Sequence, residues 1–236
     1  MTWTRLRQIA LVAHDLDAVV GDLHEAFGLE VAFNDPAVAG FGLRNAVIPI
    51  GTQFVEVVSP IREGTAGGRQ LQRLGGDGGY MVICHTDDHP RRRARVDDVG
   101  VRVAFAAEDH GYQIMQLHPA DTGGSFLEID FQPGGEDAHG PWMPAGPDWQ
   151  RAIRTDIVDG ISAVTVQSVD PARTAARWGA ILETEVVEAT IELDNATVTF
   201  VDGPVDSLVA VTVTSPAPIA PRRIGGVDFQ GVPSGF

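Results

Sequence analysis

Apolar residues recur along the chain with two alternating periods. RQIALVAHDLD reads as a first strand, with apolar residues massed in its middle. A helix follows from about Leu16 to Phe27, because Leu16, Val19, Val20, Leu23 and Phe27 share one helical face, and Gly28 ends it. LEVAFND, FGLRNAVIPIG and TQFVEVVSP then read as three strands. The unit is βαβββ and spans about residues 5–60. The same order returns over residues 79–133. There GYMVICHTDD is a strand, Pro90 opens a helix that Gly100 closes, and RVAFAAED, YQIMQLHPAD and GSFLEIDFQPG supply three more strands. Gln8 and Glu56 stand 48 positions apart, and Met81 and Glu128 stand 47 apart. Two units so nearly in register indicate an internal repeat.

Residues 134–157 begin with GGEDAHGPWMPAGPDWQ, rich in Gly and Pro, and read as a linker. Residues 158–236 carry a weaker third copy. GISAVTVQSVD is its strand, PARTAARWG its short helix with Pro171 at the start, and ATIELDN, ATVTFVDG and LVAVTVTSP its alternating strands. A shared Ser-Pro aligns LVAVTVTSP with QFVEVVSP, which places Thr212 where Glu56 stands, and Ala163 falls near the Gln8 position. Neither Ala163 nor Thr212 offers a carboxylate, an imidazole or a thiolate, so no metal-ligand pair is expected at these two places. A third sheet unit also leaves an apolar face that needs cover. It should pack back on the first two units or pair with its copy in a homodimer, and the homodimer is the expectation.

Composition narrows the function classes. Of 236 residues, 44% are hydrophobic and 21% charged, as in a globular domain. No apolar run reaches the roughly 18 residues of a membrane helix, and the N-terminus lacks a small-residue cleavage site. No membrane role is expected, and the location reads as cytoplasmic. The net charge of −15 argues against a nucleic-acid partner. The one basic cluster, Arg91, Arg92, Arg93 and Arg95, is followed by Asp97 and Asp98 and reads as the solvated side of a helix. The single cysteine, Cys84, excludes an intrachain disulfide framework and reads as a buried, inert thiol.

Four segments carry a family resemblance. QIALVAHDLDAV, QFVEVVSPI, GGRQLQRLGGDGGYM and LHPADTGGSFLEID, in that order, resemble segments of the vicinal oxygen chelate (glyoxalase/bleomycin resistance/dioxygenase) superfamily, nearest its methylmalonyl-CoA epimerase-like branch. The match runs from about Arg5 to Gln132. It implies an α+β, glyoxalase-like fold, in which paired βαβββ modules form a cup-shaped sheet with a third, degenerate module behind. It also implies one divalent metal ion held by the first and fourth strands of each module. Carried onto this sequence, those positions are Gln8, Glu56, Met81 and Glu128. Met81 departs from the pattern, since a thioether suits hard divalent ions poorly. His85 shares its strand face about 13 Å away, and His118, by resemblance, lies beside the cup.

The residues themselves favour the same places. Glu56 lies in Phe54-Val55-Glu56-Val57-Val58 with apolar neighbours on both faces, so its carboxylate needs a metal, a cation or a proton. The plain alternative is an edge strand or an arginine partner. Glu128 has a similar setting beside Asp130. His118 precedes Pro119 at a strand exit, where a histidine is a ligand, an acid–base group or a turn brace. The candidates are therefore Glu128 and His118 for catalysis; Gln8, Met81, His85 and Asn45 for ligand contact; and Gln8, Glu56, Glu128 and His118 for a metal. No acid lies between Asp35 and Glu56, where the resembled branch keeps one before its third strand, which counts against epimerisation of an acyl-CoA. Three functions stay open. They are a metal-dependent lyase or isomerase acting on a small oxygenated metabolite, a metal-free small-molecule binding protein, and a non-catalytic dimeric scaffold.

Overall fold

The computed structural model describes residues 2–234. Two seven-stranded sheets account for the strands. The first contains β1 (Thr4–Val12), β2 (Leu43–Ile50), β3 (Gln53–Pro60), β4 (Gly78–Thr86), β5 (Val103–Asp109), β6 (Tyr112–Leu117) and β7 (Phe126–Asp130), in the order β2-β3-β1-β4-β7-β6-β5. Each half has a first strand lying parallel to its last, β1 beside β3 and β4 beside β7, and the halves join by an antiparallel β1–β4 pair. Helices α1 (Leu16–Phe27), α2 (Ala66–Leu74), α3 (His89–Asp98) and the short α4 (Pro119–Thr122) fill the connections. The sheet curls until Phe41, just before one edge strand, meets Phe105 on the other edge, with ring centroids 5.1 Å apart.

LEVAFND does not form the expected strand. Only Phe33 bridges to Val47, because Asp35 then caps a 3-10 turn over Pro36–Phe41.

The second sheet contains β8 (Gly160–Ser168), β9 (Val186–Val187), β10 (Thr190–Glu192), β11 (Thr197–Asp202), β12 (Ser207–Ser215), β13 (Arg222–Ile224) and β14 (Val227–Pro233), in the order β13-β14-β12-β8-β11-β10-β9. With α5 (Pro171–Leu182), β8 to β11 make the third βαβββ unit. β12 to β14 add a helix-less fourth, since β12 pairs antiparallel with β8 and parallel with β14, as β4 does with β1 and β7. The register breaks correspond too: Arg7 and Tyr80 in the β1–β4 pair answer to Ser162 and Val209 in the β8–β12 pair. LVAVTVTSP is therefore not the counterpart of QFVEVVSP. Pairing places Thr199 at the Glu56 position, Thr212 at that of Ile83 and Gln230 at that of Glu128, while Ala163 does stand where Gln8 does. The shared Ser-Pro marks two strand ends of different rank.

The strand faces divide into two clusters. Leu6, Ile9, Leu11, Val55, Val82 and Ile129 pack with α1, α3 and α5 and with Val164, Val198, Leu208 and Val211 of the second sheet in one common core. The third unit thus packs back on the first two, and its apolar face needs no second copy for cover. The opposite face of the first sheet, the inside of the cup, gathers Ala10, Val12, Phe54, Met81, Ile83 and Tyr112 around Trp142 and Trp149.

The arginines of α3 are not merely solvated. Arg92 is 4% exposed and donates to the Leu182 carbonyl at 2.8 Å, to Glu183 at 2.8 Å and to the Thr4 hydroxyl at 2.9 Å. Arg95 donates to the Ala180 carbonyl at 2.6 Å. They dock α3 on the C-terminal end of α5, where carbonyls lack partners within the helix. Cys84 is buried, and burial pushes its thiol up to about 12. Among the described residues, no helix is long and apolar enough to cross a membrane.

Candidate functional site

The floor of the cup is built from five adjacent strands, from the edge strand β2 to β7. β1 carries Gln8, β2 Asn45, β3 Glu56, β4 Met81 and β7 Glu128 and Asp130. The bulge at Arg7 turns both Arg7 and Gln8 toward the cup, because Leu6 and Ile9 on either side face the core.

Glu56 is 8% exposed and accepts on both oxygens, from Gln8 Nε2 at 2.9 Å and from Asn45 Nδ2 at 2.7 Å. Each amide is itself fixed. Asn45 Oδ1 accepts from the Asp35 amide at 2.8 Å, and Gln8 Oε1 accepts from the Trp142 indole at 2.8 Å. Burial raises the Glu56 carboxyl to about 7, against the lowering by these two amides.

Glu128 and Asp130 lie two residues apart on one strand face, both buried. Glu128 Oε2 and Asp130 Oδ1 have no hydrogen-bond partner among the described residues. Burial, then the charge of Asp130, drives Glu128 well above the carboxylate range. Burial also raises Asp130 to about 7, opposed by the hydrogen bond from Tyr112. The Tyr112 hydroxyl donates to Asp130 Oδ2 at 2.5 Å. Two carboxyls on one buried strand face disfavour each other's ionisation, so both are held above the ordinary carboxylate range.

The structure gathers Gln8, Asn45, Glu56, Met81 and Glu128 in the cup, sets His85 at its end beside Asp130 across the β4–β7 pair, and separates His118 from it. His85 Nε2 accepts from the Gln132 amide at 3.3 Å, and its ring packs between Trp3 and Trp142. Burial, then Arg7 and Arg5, lower it to about 3, so it stays neutral. His118 Nδ1 accepts from the Ala120 amide at 3.2 Å and caps α4, beside the ion pair of Arg102 with Asp121. It has the turn-brace role and touches neither Glu56 nor Glu128.

A hard divalent cation does not fit this donor set. The Gln8 carbonyl is taken by Trp142, both Glu56 oxygens by amides, and the fourth position is the Met81 thioether. Among the described residues, no cluster of three or more His, Cys, Asp or Glu side chains could hold a metal.

Sequence reasoning missed Trp142 and Trp149, which it read as part of a linker. Trp142 is 1% exposed, stacks on Phe54 with an interplanar angle of 12°, and meets Tyr112 edge-on. Trp149 meets Phe54 edge-on at 4.8 Å. The signal was present: large aromatics in a Gly/Pro-rich segment mark a segment that docks rather than one that is solvated.

Known proteins share this architecture. A hypothetical protein from Staphylococcus aureus matches 98% of this chain and 99% of its own with a TM-score of 0.72 at 16% identity, which shows the fold of both sheets together. A Streptomyces coelicolor methylmalonyl-CoA epimerase variant in complex with 2-nitronate-propionyl-CoA matches 55% of this chain and 98% of its own, at 29% identity and a TM-score of 0.50. The ethylmalonyl-CoA/methylmalonyl-CoA epimerase of Cereibacter sphaeroides is 25% identical over 132 residues, 53% of this chain and 96% of that protein. The family model described as "Glyoxalase-like domain" matches residues 9–182. With its cup of paired modules and its kinship to the epimerases, the chain belongs to the glyoxalase-like domain family of the vicinal oxygen chelate superfamily.

Proposed function

We propose that the cup binds a small oxygen-bearing metabolite and exchanges a proton with it through the Glu128–Asp130 pair, without a metal ion. The observation that carries this reading is the unpartnered Glu128 Oε2 on the buried floor, beside an Asp130 whose carboxyl burial raises to about 7. A carboxyl with pKa near the working pH is suited to take a proton, and a neighbour kept neutral is suited to donate one.

In this mechanism Asp130, held by Tyr112, accepts a proton from the carbon next to a carbonyl. Glu128, kept protonated by burial, donates its O–H to the substrate oxygen and stabilises the enolate charge that forms there. Reprotonation by Asp130 completes the cycle. The dry floor strengthens both interactions. Glu56, anchored by two amides, lines the cup as a hydrogen-bond acceptor. The relatives support the reaction class, because inverting a stereocentre next to a carbonyl requires removing and returning a proton. The lack of an acid between Asp35 and Glu56 and the thioether of Met81 depart from the pattern that the family resemblance implies, so the substrate is proposed only as a small carbonyl compound.

The test is deuterium uptake. Chelator-treated protein is incubated in D2O with a panel of 2-oxo acids, 2-hydroxy ketones and malonyl-type thioesters, and exchange is followed by proton NMR. The expected result is uptake that falls about 100-fold in Glu128→Gln and in Asp130→Asn. Exchange that appears only after adding a divalent metal, or that survives both substitutions, overturns the proposal. Binding without uptake would mark a sequestering protein instead.

A further inference from the structure

The cup contains an occupant supplied by the chain itself. Trp142 lies in the segment between the two sheets, yet its indole sits inside the first. Its ring lies 6.4 Å from Phe54, 5.6 Å from Tyr112 and 5.3 Å from His85 by centroid. Its N–H donates to Gln8 Oε1, and Gln8 donates to Glu56, so the indole stands one residue from the carboxyl floor. The segment is tied in place: Arg7 donates to the Ala138 carbonyl at 2.8 Å, and the Met143 amide to Gln132 Oε1 at 3.0 Å. Two epimerase structures match 98–99% of their own chains with 55–59% of this one, so about two fifths of this chain has no counterpart in them. The margin of the cup, by contrast, is only partly buried at Val38, Ile114 and Phe126.

We propose that Trp142 is the specificity-determining residue of the cup: its indole fills the space beside Gln8 and restricts ligands to small ones that reach Glu128 from the Met81 and Phe126 side. The site that Trp142 fills has aromatic walls and one fixed acceptor, Gln8 Oε1. Its chemistry suits a planar heteroaromatic that carries an N–H donor. A ligand with a ring or long acyl branch on that side is excluded while Trp142 is present. This rests on reading the cup as the ligand site, and not on the proton exchange assigned to Glu128.

The probe is free indole. Trp142→Ala opens a cavity of indole shape, and about 1 mM indole, roughly saturating for such apolar cavities, should raise its Tm by about 3 °C. Benzothiophene, which has the same shape and no N–H, should raise it less, and the wild-type protein should respond to neither. Trp142→Leu serves as the second variant if the alanine form does not fold, with a smaller rise expected. Wild-type protein that takes up indole as well as the variant overturns the proposal. So does a folded variant that ignores indole, because the segment would then have closed the gap. Failure of deuterium uptake would leave the indole result intact, so the two readings fail separately.

Discussion

At the scale of single residues, the cup floor is a set of acids kept from charging. Glu56 has its carboxyl raised to about 7, against about 4.5 when exposed, and Asp130 is raised to about 7 from about 3.8. Between the exposed and the folded values, the native chain holds protons that the unfolded chain releases. Raising pH through that window therefore favours unfolding, by up to a few kcal/mol for each group. Stability should be higher at pH 5 than at pH 8, and urea melts at the two values check it. Asp130→Asn should flatten the slope; a slope unchanged in this variant would mean Asp130 is not raised. Tyr112→Phe removes the donor to Asp130 Oδ2, so it should push that carboxyl higher still and steepen the fall, readable as a carbon-13 carboxyl titration.

At the scale of elements, helices are set by their ends. Asp15 caps α1, accepting from the Asp17 and Ala18 amides, and Gly28 ends the helix in a left-handed turn at φ 67°. Asp15→Ala should cost about 1 kcal/mol in urea unfolding. Arg92→Ala should cost about 2 kcal/mol, because it strands the Leu182 carbonyl and the Thr4 hydroxyl between α3 and α5, while Glu183 keeps Arg91. Such ends, and the repeat, were legible because they depend on residues close in sequence. The choice of Gln8, Glu56 and Glu128 came from the family resemblance, and the near-equal spacing of the two units, 48 and 47 positions, supported it. The strand rank of LVAVTVTSP was not legible, since local alternation does not reveal whether a strand's partner runs parallel or antiparallel. LEVAFND misled for a related reason: it alternates like a strand, but only Phe33 finds a partner before Asn34-Asp35-Pro36 turns away. His118 carried the same Pro-bound signal whether it braced a turn or entered the cup.

At the scale of the whole molecule, the two sheets are one folding unit. Their backbones approach so closely at Gly79 that a Cβ there would stand 2.1 Å from the Leu208 carbonyl oxygen, and one at Gly51 would stand 2.0 Å from that of Asp159. Gly79→Ala should force β4 and β12 apart and cost several kcal/mol, since both obstacles are backbone. It should also leave a single unfolding transition, because the core is common to both sheets. Two separate transitions by calorimetry would contradict a shared core.

The order of the chain gives the Trp142 plug a meaning in time. Synthesis delivers both halves of the first sheet, then the segment that enters its cup, and only afterwards the second sheet. The inside of the cup can thus be sealed as soon as about residue 157 has emerged, while the outer face of the same sheet still lacks β8, β12 and α5. A nascent chain paused there would bury its acids and expose its aliphatics. The hazard during biogenesis lies on the face away from the cup, and it ends when the last strands arrive.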